Sequence, residues 1–135
     1  MNNFKVLVAL AAFFSFSMPA AAQSRANKGI TLFSGASIVG QDAKKTFLGK
    51  IDNPFGRDSI FNEFSTYGNE IYPKSIWNEI NIFGGEISQY SPFNPLALQP
   101  PMIIKNGKLI GYLTCNPAVK GGISVQALFN RKDWL

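Results

Sequence analysis

Carboxylates that recur at a fixed interval are the residues of this chain with the greatest potential for chemistry. Glu63 and Glu79 lie sixteen residues apart, and so do Glu70 and Glu86. Glycosidases place an acid and a base roughly 5–9 Å apart on such paired carboxylates. A hydrolase that uses one of these glutamate pairs is therefore the enzymatic alternative, although a sequence repeat explains the same interval without any chemistry.

The residue types that are scarce exclude several other kinds of site. The chain contains no histidine and one cysteine, Cys115. Neither a Ser–His–Asp nor a Cys–His set can be assembled, and zinc or copper would lack imidazole and paired thiolates. A cation held by the repeat carboxylates is a third possibility, which the lack of a dense Asp/Asn/Gly loop of the calcium type disfavours. We expect no catalytic residue, no metal and no cofactor, and we expect Cys115 to be a small, partly buried side chain.

Aromatic side chains interleave with these glutamates and support a second class of function, a non-catalytic envelope or binding domain. Aromatics at repeat spacing serve as core residues or as a partly exposed contact surface. In the second case we expect them to bind an envelope component, either a protein or a glycan. The candidate ligand surface consists of Tyr67, Glu70, Tyr72, Trp77, Glu86 and Tyr90.

A sixteen-residue internal repeat, over residues 58–97, sets all of these intervals. Residues 58–73 and 74–89 are identical at seven positions, and a shortened third copy begins at Tyr90. In each copy a serine precedes an asparagine by three residues, as at Ser59 and Asn62. Both side chains bond nearby backbone groups, so this spacing predicts a tight, short helical turn.

The second half of each unit predicts a bend and a short extended piece. Gly68 and Gly84 mark the bend, where we expect a positive φ. Glu70-Ile71 and Glu86-Ile87 follow as extended pieces, with one residue facing out and one facing in. Because solenoids need three or more repeats, these units must pack against flanking strands.

The flanking sequence predicts those strands. Two apolar runs surround Asn106-Gly107, the strongest short signal for a β-hairpin. Apolar residues alternate over 123–129, which predicts a further strand, while 45–51 predicts a strand and 30–33 a weaker one. Similar strands bracket the repeat and are expected to pair across it. We therefore predict a mainly β fold, with a small antiparallel sheet packed against an irregular repeat.

Charge is distributed in three blocks of opposite sign. Residues 23–57 carry a net charge of +4, residues 58–89 carry −4 and residues 90–135 carry +4. A nucleic-acid-binding protein usually clusters its basic residues together with aromatics. The aromatic-rich block is acidic here, so we do not expect nucleic acid as a partner.

The first 22 residues have the features of a cleavable export signal. Lys5 precedes an apolar run from Val6 to Met18, which is shorter than the roughly 20 residues of a membrane-spanning helix. Pro19 and the small residues of Ala20–Ala22 then form a cleavage site. We expect one exported domain over 23–135, in the periplasm or outside the cell, with no integral membrane segment after cleavage.

Several of these motifs together resemble a group of uncharacterised secreted bacterial proteins. The resemblance is carried by Ser-Ile-Phe/Trp-Asn steps, by Tyr67-Gly68, by the run from Tyr90 to Pro95 and by the segment from Lys108 to Asn116. It covers roughly residues 45–117. Other proteins of that group carry cysteines near positions 50–53, where this chain has none. The resemblance implies a secreted bacterial domain and assigns no activity.

Overall fold

A five-stranded sheet and one short helix frame the part of the chain that the computed structural model describes, residues 32–130. The elements are β1 (Ser37–Val39), β2 (Phe47–Lys50), β3 (Met102–Lys105), β4 (Lys108–Leu113), β5 (Gly122–Ile123) and α1 (Val125–Asn130). The strand order is β2-β1-β3-β4-β5. All neighbours are antiparallel except β4 and β5, which are parallel. The prediction of a mainly β fold with a small sheet is confirmed, and the predicted signal at 1–22 lies outside the described residues.

The predicted hairpin is confirmed at Asn106-Gly107. β3 and β4 pair with Lys105 opposite Lys108, so two residues form the turn. Both have a positive φ, 53° at Asn106 and 76° at Gly107, as a type I′ turn requires. Because few other residues adopt this conformation readily, the turn residues themselves specify how β3 and β4 meet.

β1 is an interior strand of the sheet that the sequence pattern does not predict. It pairs with β2 on one side and with β3 on the other, and Ile38 in its middle is fully buried. Three residues are too few for an alternating pattern to be recognised. β2 confirms the strand predicted over 45–51. It does not pair directly with the strands after the repeat, since β1 lies between them.

The strand predicted over 123–129 is wrong beyond its first residue. β5 ends at Ile123, and α1 begins directly after Ser124. The Ser124 hydroxyl accepts a 3.0 Å hydrogen bond from the N–H of Ala127 and caps the helix. An alternating run also contains the i, i+3, i+4 spacing of a helix, and here packing selects the helix. Its buried residues are Val125, Leu128 and Phe129. Of the weaker strand predicted over 30–33, only Leu32 and Phe33 are described, and they are helical.

Residues 53–97, between β2 and β3, form a succession of β-turns that we call the turn ribbon. The N–H that closes a turn donates to the carbonyl three residues earlier, at 3.0–3.4 Å. Two steps are one residue longer, from Ser65 to Asn69 and from Asn81 to Gly85. Each sixteen-residue unit is therefore a series of steps of 3, 3, 4, 3 and 3 residues. The ribbon contains no helix and no named strand, in keeping with the predicted irregular repeat, and the tight turns predicted at Ser59–Asn62 and Ser75–Asn78 are confirmed.

Serine and asparagine side chains complete the hydrogen bonding of the ribbon. At the first position of a turn their oxygen accepts the N–H two residues later, as Ser75 does from Trp77 at 3.1 Å. Asparagine amides also donate to the carbonyl six residues earlier, for example from Asn62 to Gly56 at 2.9 Å. Because these bonds satisfy backbone groups locally, the ribbon needs no strand partner along most of its length.

Gly68 and Gly84 occupy the longer steps for a steric reason. The predicted positive φ is wrong at both, since the positive-φ glycines of the described chain lie elsewhere. A Cβ at Gly68 would overlap the carbonyl oxygen of Asn62, and one at Gly84 would overlap that of Asn78. Glycine is needed there because two stretches of backbone approach closely.

The extended pieces predicted after these glycines are also wrong. Glu70-Ile71 and Glu86-Ile87 belong to β-turns that close onto Tyr72 and Ser88. Both isoleucines face solvent. The Ser/Asn turn chemistry thus continues through the second half of each unit.

The ribbon packs against the sheet as predicted and shares one hydrophobic core with it. Tyr67 meets Phe47 of β2 edge-on at 5.1 Å between ring centroids, and Phe61 meets Phe129 of α1 at the same distance. A parallel bridge also joins Lys50 to Ser59. At its other end the ribbon is tied to the chain after β4, where the Asn116 amide donates to the Ala97 carbonyl at 2.9 Å.

Candidate interaction surface

Apart from Tyr72 and Ile82, which are 40% and 51% exposed, six large apolar side chains of the turn ribbon project into solvent. They are between 72% and 97% exposed, and they form two series with sixteen-residue spacing. We call them the outer apolar face: Phe64, Ile80 and Leu96 in one series, and Phe55, Ile71 and Ile87 in the other. A single exposed apolar residue is ordinary, whereas a repeated set of this size is typical of an interaction site.

Each member of the outer apolar face is the third residue of a β-turn. Other turns of the ribbon present their third residue to the core, and the buried examples are Phe61, Trp77 and Phe83. The ribbon therefore sends large apolar side chains both inward and outward. Only the inward set contributes to the hydrophobic core.

The turns themselves do not require an apolar residue at this position. Asp58 and Lys74 are also third residues of turns, and the closing hydrogen bonds of those turns are 3.3 Å and 3.1 Å long. A charged side chain is thus compatible with the same backbone geometry. Neither turn formation nor core packing accounts for the outer apolar face.

Equivalent residues in successive units lie close together inside the fold. The rings of Trp77 and Phe93 are equivalent, and their centroids are 5.5 Å apart. The Trp77 indole also reaches the Ile60 carbonyl of the preceding unit. Because successive units are in direct contact, each series of the outer apolar face runs across neighbouring units.

A glutamate immediately precedes four of the six outer residues. Glu63, Glu79 and Glu86 are exposed and Glu70 is half-buried. The acidic block of residues 58–89, with its net charge of −4, coincides with most of the ribbon. The outer apolar face is therefore bordered by carboxylates.

These positions do not resemble the acid–base pair of a glycosidase. A general acid at neutral pH requires a carboxyl group whose pKa is raised by apolar surroundings. Glu63, Glu79 and Glu86 have exposed positions instead.

Trp77 cannot belong to a ligand surface, which corrects that part of the predicted site. Its side chain is 1% exposed, and its indole Nε1–H donates to the carbonyl of Ile60 at 2.6 Å. The residue is a central core residue of the repeat.

The other five predicted residues are not brought together as one surface. Tyr67 and Tyr90 are half-buried and pack against the core. Tyr72 and Glu86 are exposed, and Glu70 is half-buried. Glu70 and Tyr72 flank Ile71 in the chain and Glu86 precedes Ile87, so these three members of the set adjoin the outer apolar face.

Cys115 is exposed, which corrects the prediction of a partly buried side chain. Partial desolvation of the sulfur raises the pKa of its thiol above the usual value, against a smaller opposing effect of a backbone hydrogen bond. Little thiolate forms at neutral pH, and the thiolate is the reactive species. The exposed thiol is therefore a weak nucleophile.

The outer apolar face is not among the predicted sites, although the sequence carries a signal for it. Ser, Asn or Gly recurs at nearly every third position from Asn53 to Asn94, with one extra residue at Gly68 and at Gly84. That recurrence identifies the turns and the third position of each. It does not show which third positions face solvent, since inward and outward residues are equally apolar.

No protein-family model, curated protein or solved structure matches this chain. Within residues 32–130 no helix is long and apolar enough to cross a membrane. The same part of the chain contains no group of three or more acidic or cysteine side chains placed to hold a metal ion.

Proposed function

We propose that this chain is an exported, non-catalytic binding domain that contacts an envelope component through the outer apolar face. The observation that carries the proposal is the exposure of Phe64, Ile80 and Leu96 at equivalent positions of three repeat units. Exposed apolar area of this kind is unfavourable in water, and the free energy falls when a partner covers it.

Export is supported by the sequence of residues 1–22 and by the resemblance to secreted bacterial proteins. The full chain should be produced in a bacterial host, and the protein outside the cytoplasm should be isolated. We expect its N-terminus to be Gln23. An uncleaved chain that stays in the cytoplasm would contradict export.

Binding is tested by retention of envelope extract on the immobilised exported protein. The test variant is Phe64→Ser/Ile80→Ser/Leu96→Ser. Its matched control is Leu109→Ser, which removes an exposed apolar side chain from β4, away from the ribbon. The wild type and the control should retain the same components, and the triple variant should lose them.

Two outcomes would overturn the assignment of binding to this face. One is equal retention by all three proteins, and the other is loss of retention by Leu109→Ser as well. Circular dichroism must show that the triple variant is folded. Trp77→Ala is unsuitable as a binding variant because it would open a cavity in the core.

A further inference from the structure

We infer, on the basis of the function proposed above, that the partner presents a polypeptide segment in which basic and apolar residues are interleaved. Such a segment would place its apolar side chains on the outer apolar face and its basic side chains beside the bordering carboxylates.

Charge complementarity is the first argument. Glu63 directly precedes Phe64, and Glu86 directly precedes Ile87, so a carboxylate adjoins an exposed apolar side chain in both series. The repeat block as a whole has a net charge of −4. Opposite charges on two surfaces speed encounter and disfavour wrong partners. An acidic peptide or an anionic lipid surface would be repelled here.

The types of side chain are the second argument, and they disfavour a glycan. Sugars stack on aromatic faces, and four of the six outer residues are aliphatic. Of the four predicted aromatics, Trp77 is buried, Tyr67 and Tyr90 are half-buried, and Tyr72 alone is exposed, at 40%. Aliphatic side chains recognise other apolar side chains, which polypeptides supply.

The chemistry of the face disfavours a second copy bound through the same surface. A symmetric dimer places identical patches against each other, so one interface would contain Glu63 and Glu86 of both copies. Like charges in an interface are unfavourable. A partner with basic residues avoids this conflict.

Backbone hydrogen bonding is the fourth argument. Backbone groups of the ribbon are already bonded, so a partner is expected to recognise its side chains. The carbonyls of Gly56, Tyr72 and Ser88 each accept a turn N–H and an asparagine amide. A partner that adds a strand needs free backbone groups along an edge. The ribbon instead offers protruding side chains at regular intervals.

The test uses two short synthetic peptides with a fluorescent label, one of alternating Lys and Leu and one of alternating Glu and Leu. Binding to the exported protein is followed by fluorescence anisotropy. We expect the Lys/Leu peptide to bind, with an affinity that falls as salt is added. The Phe64→Ser/Ile80→Ser/Leu96→Ser variant should lose about tenfold or more in affinity, as truncation of central apolar contacts does. Leu109→Ser should bind like the wild type.

A charge variant separates the two parts of the inference. Glu63→Gln/Glu86→Gln keeps the apolar side chains. It should lower the affinity for the Lys/Leu peptide several-fold and make that affinity less dependent on salt. If it binds unchanged, the carboxylates do not recognise the basic residues and the inference is overturned.

Other outcomes separate this inference from the proposed function. If the Glu/Leu peptide binds as tightly as the Lys/Leu peptide, or if neither binds while envelope retention depends on the outer face, the partner chemistry is wrong and the proposed function stands. Equal envelope retention by wild type and triple variant would reject the proposed function instead. If sedimentation shows a wild-type dimer that the triple variant abolishes, the occupant is a second copy and the inference is overturned.

Discussion

The indole Nε1–H of Trp77 donates a 2.6 Å hydrogen bond to the backbone carbonyl of Ile60, seventeen residues earlier in the chain. Both residues lie in the core shared by the ribbon and the sheet. The bond joins the second repeat unit to the first and satisfies a carbonyl that is buried from water. Phe93 then packs on the same indole from the third unit. Trp77 therefore links all three copies of the repeat.

Loss of the indole donor should destabilise the fold. Trp77→Phe keeps most of the apolar contact but leaves the Ile60 carbonyl without this donor and opens a small cavity. We expect the free energy of unfolding in urea to fall by about 2–4 kcal/mol. Phe64→Ala, at an exposed outer position, is the control and should change it by less than about 0.5 kcal/mol. Similar losses in the two variants would contradict this account.

The two adjacent glycines of the second unit should differ in their tolerance of a methyl group. A Cβ at Gly84 would overlap the Asn78 carbonyl and lie 2.6 Å from that of Ile76, whereas at Gly85 the nearest atom is 3.2 Å away. Gly84→Ala should lower the unfolding free energy by about 1–3 kcal/mol, the usual range for overpacking. Gly85→Ala should have a smaller effect. If Gly85→Ala is the more damaging substitution in urea unfolding, the longer step of the ribbon has another geometry.

Two asparagines that make the same hydrogen bonds should differ in importance because they differ in burial. Asn94 bonds the N–H two residues later and the carbonyl six residues earlier, both at 2.9 Å. The corresponding distances for Asn78 are 3.0 Å and 3.2 Å. Asn94 is 6% exposed and Asn78 is half-buried. Asn94→Ala should cost about 1–3 kcal/mol, since buried partners are left unsatisfied, and Asn78→Ala should cost less. Equal costs in urea unfolding would show that burial does not set the value of these bonds.

Asp42 should make part of the stability depend on pH. Burial acts to raise the pKa of Asp42, but hydrogen bonds from the hydroxyl and backbone N–H of Thr46, with other backbone contributions, outweigh it and hold the pKa below its ordinary 3.8. Because the folded pKa is the lower one, this stability is present above the unfolded pKa and is lost as pH falls through the folded pKa.

Thr46→Val removes the hydroxyl donor and tests this linkage. In urea unfolding the variant should be less stable than the wild type at neutral pH, and the difference should shrink as pH falls below 3.8. Thr66→Val makes the same change at an exposed threonine and is the control. If the stability difference between Thr46→Val and the wild type stays constant down to low pH, the ionised carboxylate does not have this role.

Cys115 should react slowly with iodoacetamide despite its exposure. Desolvation raises the pKa of its thiol, so the rate of alkylation in the folded protein should reach half its maximum above pH 9.0. The chain unfolded in urea is the control and should react faster at neutral pH. A midpoint at or below that value in the folded protein would contradict the desolvation of the sulfur.

Local patterns in the sequence predict local structure well. Asn106-Gly107 specifies the hairpin because few residue pairs adopt two consecutive positive φ angles. The Ser-x-x-Asn steps predict turns because their side chains bond backbone groups two to six residues away. Both signals depend only on nearby residues.

The sequence is a poorer guide wherever two structures satisfy the same local pattern. Residues 123–129 fit both a strand and a helix, and α1 forms because Val125, Leu128 and Phe129 bury one face in the core. β1 is too short to recognise, although it lies inside the sheet between β2 and β3.

The candidate surface depends on the same distinction. By itself the sequence determined the sixteen-residue repeat, its turn-forming residues and the carboxylates that accompany them. Only the tertiary structure decided that Trp77 faces the core while Ile80, one turn later, faces solvent. Both are large apolar third residues of successive turns, so composition cannot distinguish them. Their environments differ because the sheet and α1 cover one side of the ribbon and leave the other side to water.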